Sequence, residues 1–154
     1  MQRREMFARF GAAMYHAQCV EKQLAILAAT TFNPEFLKAS TKERSQFLDR
    51  ELARNLGELL RLLRQKVDIA ATTDDRLATA LHQRNWLAHN YFVDRADDIR
   101  TWDGRERMIE ELQQAADDFS ALDDQLTDVT KEWLARCGCD EEMLQTEVMR
   151  HLAK

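Results

Sequence analysis

Apolar residues recur at Met6, Phe10, Met14, Ala17, Leu24, Leu27 and Ala28. That helical spacing predicts a first long helix from near the N-terminus to about Thr30. Asn33-Pro34 ends it, because the residue before a proline is driven out of the α region. Ser40 with Glu43 reads as a capping box opening a second helix, which Leu48, Leu52, Leu56, Leu59 and Leu63 carry to about Val67. A cap within Thr72–Asp75 opens a third helix through Leu77, Leu81, Trp86 and Ala88. Asp103 and Glu106 form a further capping box. Behind it, Met108, Leu112, Ala115, Phe119, Leu122, Leu126, Val129 and Trp133 alternate in steps of four and three, a heptad-like seam about four repeats long. Cys137-Gly138-Cys139 breaks the chain, and Asp140 caps a short last helix carrying Met143, Leu144, Val148 and Leu152.

Composition removes the alternatives. The 154 residues include 4 Gly and 1 Pro, too few for the tight turns of hairpins, sandwiches and barrels. Leu and Ala number 39 against 9 Val and Ile, a balance that favours helix. The expected fold is all-α: an up-and-down four-helix bundle over about 5–135, with a short fifth helix at about 140–152, in a single domain 1–154. A chain this long with 45% apolar residues can bury a core without metal or disulfide staples. Three cysteines without a bridging pattern point to a reducing cytoplasm. The longest apolar run, Leu24 to Ala29, is far too short for a bilayer, and Arg9 and His16 interrupt the stretch where a signal peptide would lie. No glycine-rich loop offers a phosphate cradle, and His16, Cys19, Cys137, Cys139 and His151 lack strong metal-ligand spacing, so neither cofactor nor metal is expected.

The net charge of −5 hides an asymmetry: residues 1–93 carry a surplus of 4 positive charges and residues 94–147 a deficit of 11. Within the basic part, Arg50, Arg54, Arg61 and Arg64 fall within about 80° of one another if the second helix is continuous, with Gly57 inside the stripe. Such a row would track the phosphates of RNA; it would equally serve as a solvated face.

The third helix holds the most specific chemistry, Arg84-Asn85-Trp86-Leu87-Ala88-His89-Asn90-Tyr91. Leu77, Leu81, Ala88 and Tyr91 lie within roughly 60° of Arg84, which places a guanidinium in the middle of an apolar stripe. It must be paired there or face an interface. Five positions on, His89 would point about 140° away, so one straight helix cannot aim both groups at one atom. Either the helix breaks near His89 or a second copy brings its own pair alongside. Plain structural roles fit too: Arg84 pairing with the acidic C-terminal helix, His89 capping its own helix, and Tyr91 and Trp86 packing in the core.

Arg-Asn-x-x-x-His-x-Tyr, late in a helix and followed by a short loop and a long helix, resembles the signature of HEPN domains, in the form found in HepT-type toxins. The resemblance covers about 5–135. It implies a cytoplasmic homodimer whose two motifs meet, a metal-independent endoribonuclease, RNA as substrate, and a cognate nucleotidyltransferase antitoxin that adds AMP to the motif tyrosine, Tyr91. His89 would then be the general base or acid, since an imidazole suits proton transfer at neutral pH. Arg84 would hold the crowded phosphate, and Asn85 would orient the phosphate or the imidazole. The alternative is a non-catalytic HEPN-like bundle whose same residues bind a nucleotide or a partner protein.

Overall fold

The computed structural model describes residues 1–138, so the last helix expected from Asp140, with Cys139 and His151, lies outside the described residues. The chain is all-α, with no strand among those residues: α1 (Gln2–Phe32), α2 (Thr41–Leu52), α3 (Leu56–Leu63), α4 (Ala71–His89), α5 (Tyr91–Asp94), a single 3₁₀ turn (Asp98–Arg100) and α6 (Trp102–Arg136). No helix among them is long and apolar enough to cross a membrane. The helices form two compact units, and α1 and α6 run through both.

The first unit comprises Met1–Val20 and Ala70–Asp124. Met6, Ala13, Ala17 and Val20 of α1 are buried in it, as are Leu77, Ala80 and Leu87 of α4 and Met108, Leu112, Ala115, Phe119 and Leu122 of α6. On α4 the buried face runs through Leu87 rather than Ala88, which is exposed. That helix starts at Ala71, with no side chain capping it, instead of behind a Thr72–Asp75 cap. The expected capping box at Asp103 is also displaced. α6 begins two residues earlier than that cap would place it, and the Thr101 hydroxyl, on extended backbone, accepts from the Gly104 N–H at 3.0 Å. Gly104 is fixed by close approach: a Cβ there would collide with the Asp98 carbonyl oxygen.

Among the described residues, the second unit comprises Glu21–Ile69 and 125–138. Every residue from Leu24 to Thr30 is buried, the pattern of a helix enclosed on all sides. The short apolar run of the sequence is therefore core. Its polar residues are satisfied locally, Thr30 donating to the Leu27 carbonyl at 2.9 Å and Asn33 to that of Ala29 at 2.8 Å. The Ser40–Glu43 capping box forms as expected.

The helix expected from Ser40 to Val67 is two helices. Asn55 sits on extended backbone, and its side chain accepts from the Glu58 N–H at 2.8 Å, so it caps α3 and breaks the chain from α2. The leucine spacing concealed this, but Leu52 is 40% exposed and does not join the core. Gly57 consequently lies in the first turn of α3, where it costs little, and not inside a long helix.

The α6 seam holds through Leu126 and then shifts: Thr130 and Leu134 are buried while Val129 and Trp133 are half-buried. Eighteen residues make five full α-helical turns, so Thr130 lies under Leu112 and Leu134 under Ala116. A straight helix drifts about 20° per heptad from a 3.5-residue repeat, which accounts for the change. α6 ends at Arg136, and Gly138 takes φ +76 beyond it, as the Cys-Gly-Cys break anticipates.

Two outcomes test this packing by urea denaturation. Gly104→Ala should lose about 1–3 kcal/mol, since the Asp98 backbone it meets cannot swing aside. Arg54→Ala, which strips a partner from the buried Glu51 carboxylate, should lose about 1–3 kcal/mol, while the exposed Arg61→Ala stays within about 0.5 kcal/mol of the parent.

Candidate functional site

All four residues of the Arg-Asn-x-x-x-His-x-Tyr motif belong to the first unit. Thr73, Leu77, Ala80 and Leu87 form the buried stripe of α4, and Tyr91 continues it. Arg84 stands at the centre of that stripe, half-buried, with Nη1 donating to Asn85 Oδ1 at 3.1 Å. His89 is the last residue of α4 and is exposed. The helix does break at this point, but one residue too late to redirect His89: the departure comes at Asn90, with φ −124 and ψ −20. Arg84 and His89 therefore remain on one helix, about 140° apart around its axis. A single copy keeps them on different faces.

Tyr91, the first residue of α5, is 1% exposed. Its ring stacks on Phe10 at 6.0 Å and meets Trp86 edge-on at 5.0 Å, while its hydroxyl donates to the Met108 carbonyl at 3.3 Å. It is a core residue, and its oxygen cannot be modified without local opening. Burial, reinforced by the nearby Glu111 carboxylate, pushes the Tyr91 phenol well above its ordinary value near 10. The folded state thus holds this proton more tightly than the unfolded chain, and the stability it contributes is complete below about pH 10 and is lost as pH rises beyond.

A clamp that the sequence did not announce holds the joint after His89. Trp86, before the break, donates through Nε1 to Asp94 Oδ2 at 2.7 Å. The Arg95 guanidinium lies 5.2 Å over the Trp86 ring and grips Glu111 with two hydrogen bonds, at 3.0 and 2.7 Å. Arg95 and Glu111 stand 16 positions apart on different elements, a separation for which helical periodicity gives no signal. Next to the motif, a groove of about 280 Å³ opens between α4 and α6, with Asp75, Arg76, Thr79, Gln83 and Asp118 on its rim and Ala80, Phe119 and Leu122 as its floor. Arg84 and His89 do not line it.

The expected arginine stripe lies in the second unit and does not form as read, because the helix carrying it is broken. Arg54 bonds Glu51 at 2.7 Å and Glu58 at 3.2 Å. Arg50 bonds Asn33, sits 3.6 Å from Glu51 and lies over the Phe47 ring at 5.2 Å. These two arginines offset the charge of a carboxylate buried to 2% exposure. Arg61 and Arg64 are exposed, the latter at the end of α3. Among the described residues, no three His, Cys, Asp or Glu side chains converge on a metal position.

The chain has 2 tyrosines, which makes burial at the motif easy to read. Tetranitromethane should nitrate Tyr15, 61% exposed, and spare Tyr91 in the folded protein, as mass spectrometry of the digested product would show. Equal nitration of both would mean that the α5 segment opens readily. No protein-family model, curated protein or solved structure matches this chain.

Proposed function

We propose that the chain is a HEPN-type endoribonuclease, working without a metal ion as a homodimer with a composite Arg84/His89 site, in a toxin or defence system. One observation carries this reading: Arg84 occupies the centre of the buried stripe of α4 and yet stays half-buried, while His89 is exposed on another face of the same helix. A half-buried guanidinium at that position presents a fork of donors suited to a phosphate. Two copies related by a two-fold axis would set the arginine of one beside the histidine of the other.

The chemistry suits RNA. Attack of a ribose 2′-oxygen on the adjacent phosphorus forms a 2′,3′-cyclic phosphate and expels the 5′-oxygen of the next nucleotide. The His89 imidazole takes the 2′-proton and, as the imidazolium so formed, returns a proton to the leaving 5′-oxygen. The Arg84 fork stabilises the charge that builds on the non-bridging oxygens, and Asn85, already bonded to Arg84, orients it. In this reading a cognate nucleotidyltransferase adding AMP to Tyr91 must first release the hydroxyl from the Met108 carbonyl, so modification and unfolding of α5 are coupled.

The test uses purified full-length chain and mixed-sequence RNA in EDTA. Wild type should cut and leave 2′,3′-cyclic phosphate ends, and Arg84→Ala and His89→Ala should each lose at least about 100-fold in rate. Mixing the two inactive variants should restore cutting, because each mixed dimer regains one intact Arg84/His89 pair. An inert wild type, or variants that cut as well as it does, overturns the proposal in favour of a non-catalytic bundle that binds a nucleotide or a partner. Mixed variants that stay inert overturn the composite site.

A further inference from the structure

The groove between α4 and α6 is assigned no role by the motif chemistry, yet it combines features that select one kind of ligand. Its floor is apolar and covered: Ala80 is 8% exposed, and Phe119 and Leu122 are each 1% exposed. Its rim carries hydrogen-bonding groups from both helices, with Gln83 and Arg76 on α4 and Asp118 on α6. At about 280 Å³ it is at the small end for ligand sites, a size for one flat ring system and not for a helix. All these residues lie within the first unit.

We infer that this groove binds a guanine base. The inference takes the RNA-cleaving reading as its setting and names the base placed beside the motif. The Asp118 Oδ1 accepts from Gln114 at 3.0 Å, and a carboxylate has about four lone-pair positions, so it retains acceptor capacity toward the groove. Guanine is the base whose Watson–Crick edge presents two adjacent donors, N1–H and the 2-amino group, and these match the two oxygens of one carboxylate. Adenine would set a ring-nitrogen acceptor against Asp118. Cytosine offers one amino group and uracil one N–H between two carbonyls.

The remaining rim groups complete the match. Guanine O6 and N7 are acceptors, served by the Gln83 amide and the Arg76 guanidinium. Thr79 has already committed its hydroxyl proton to the Asp75 carbonyl at 3.0 Å and so offers lone pairs to a donor. Two carboxylates against one guanidinium exclude a phosphate from the groove itself. Gln83 immediately precedes Arg84 on α4, about 100° away around the axis, so the groove and the Arg84 side chain lie on neighbouring faces of one helix. The groove would thus set which nucleotide is presented for cutting.

Binding of free nucleotides tests this without relying on cleavage. In calorimetric titrations of the full chain, GMP should bind at least about fivefold tighter than AMP, CMP or UMP. IMP, which lacks the 2-amino group, should fall between them. Asp118→Asn turns one acceptor oxygen into a donor toward that amino group and should erase the GMP preference. Gln83→Ala should weaken GMP severalfold. No binding at millimolar GMP, equal affinity for the four nucleotides, or unchanged GMP affinity in both variants overturns the assignment.

Mapping of cut sites on a defined RNA then separates the two readings. Selective GMP binding by a chain that never cuts RNA leaves the guanine site standing and removes the nuclease. Cutting without regard to guanine does the reverse.

Discussion

The first unit depends on the burial of one aromatic ring. Tyr91 begins the four-residue helix that follows α4, and it is packed against Phe10 of α1, Trp86 of α4 and Phe92 beside it, with its hydroxyl on a carbonyl of α6. A single side chain thereby ties together every long helix of that unit. Full burial of an aromatic side chain is worth several kcal/mol, and the hydroxyl bond keeps its polar end from being stranded in the core. The position of α5 follows from this anchor, and the Trp86–Asp94 and Arg95–Glu111 contacts tighten it from the outside. His89 is therefore held as the last residue of a well-fixed helix rather than on a mobile turn.

That rigidity has a consequence for any chemistry at the motif. A helix end anchored by its successor cannot swing an imidazole round to meet an arginine five positions back. Intramolecular rearrangement is thus an expensive route to a joint Arg84/His89 site, and association of two copies is the route the proposed function takes. The same anchor sets Tyr91 in an unusual position for a residue proposed to receive a nucleotide. Access to its oxygen costs the packing of the unit, so modification would itself be a disruption of α5.

In the second unit the governing element is a buried acid. Glu51 is 1% exposed, and a lone carboxylate there would be several kcal/mol uphill. Arg54, from the turn between α2 and α3, and Arg50 supply the compensation. Two residues that look in the sequence like half of a polyanion-binding row are thus engaged in holding the second unit together. The Asn55 cap that separates α2 from α3 also removes the continuous helix on which the row depended.

The sequence by itself determined the all-α class, the end of α1 before Pro34, the Ser40–Glu43 cap and the break around Gly138, because each follows from local backbone preference and side-chain reach. It also placed Arg84 on the buried stripe of α4, since helical periodicity is a property of the chain alone. Tertiary structure decided where that reasoning failed. A leucine seam at helical spacing is the same whether a helix is continuous or restarted, so only packing revealed that Leu52 is exposed and that Asn55 begins a new helix. Heptad spacing continues past Leu126, but the burial of Thr130 and Leu134 depends on how straight α6 is against its neighbours. The pairing of Arg95 with Glu111, the capture of Tyr91 by Met108 and the groove floored by Phe119 join residues far apart in the chain. Their contacts are set by which faces meet in three dimensions, and no one-dimensional pattern carries that information.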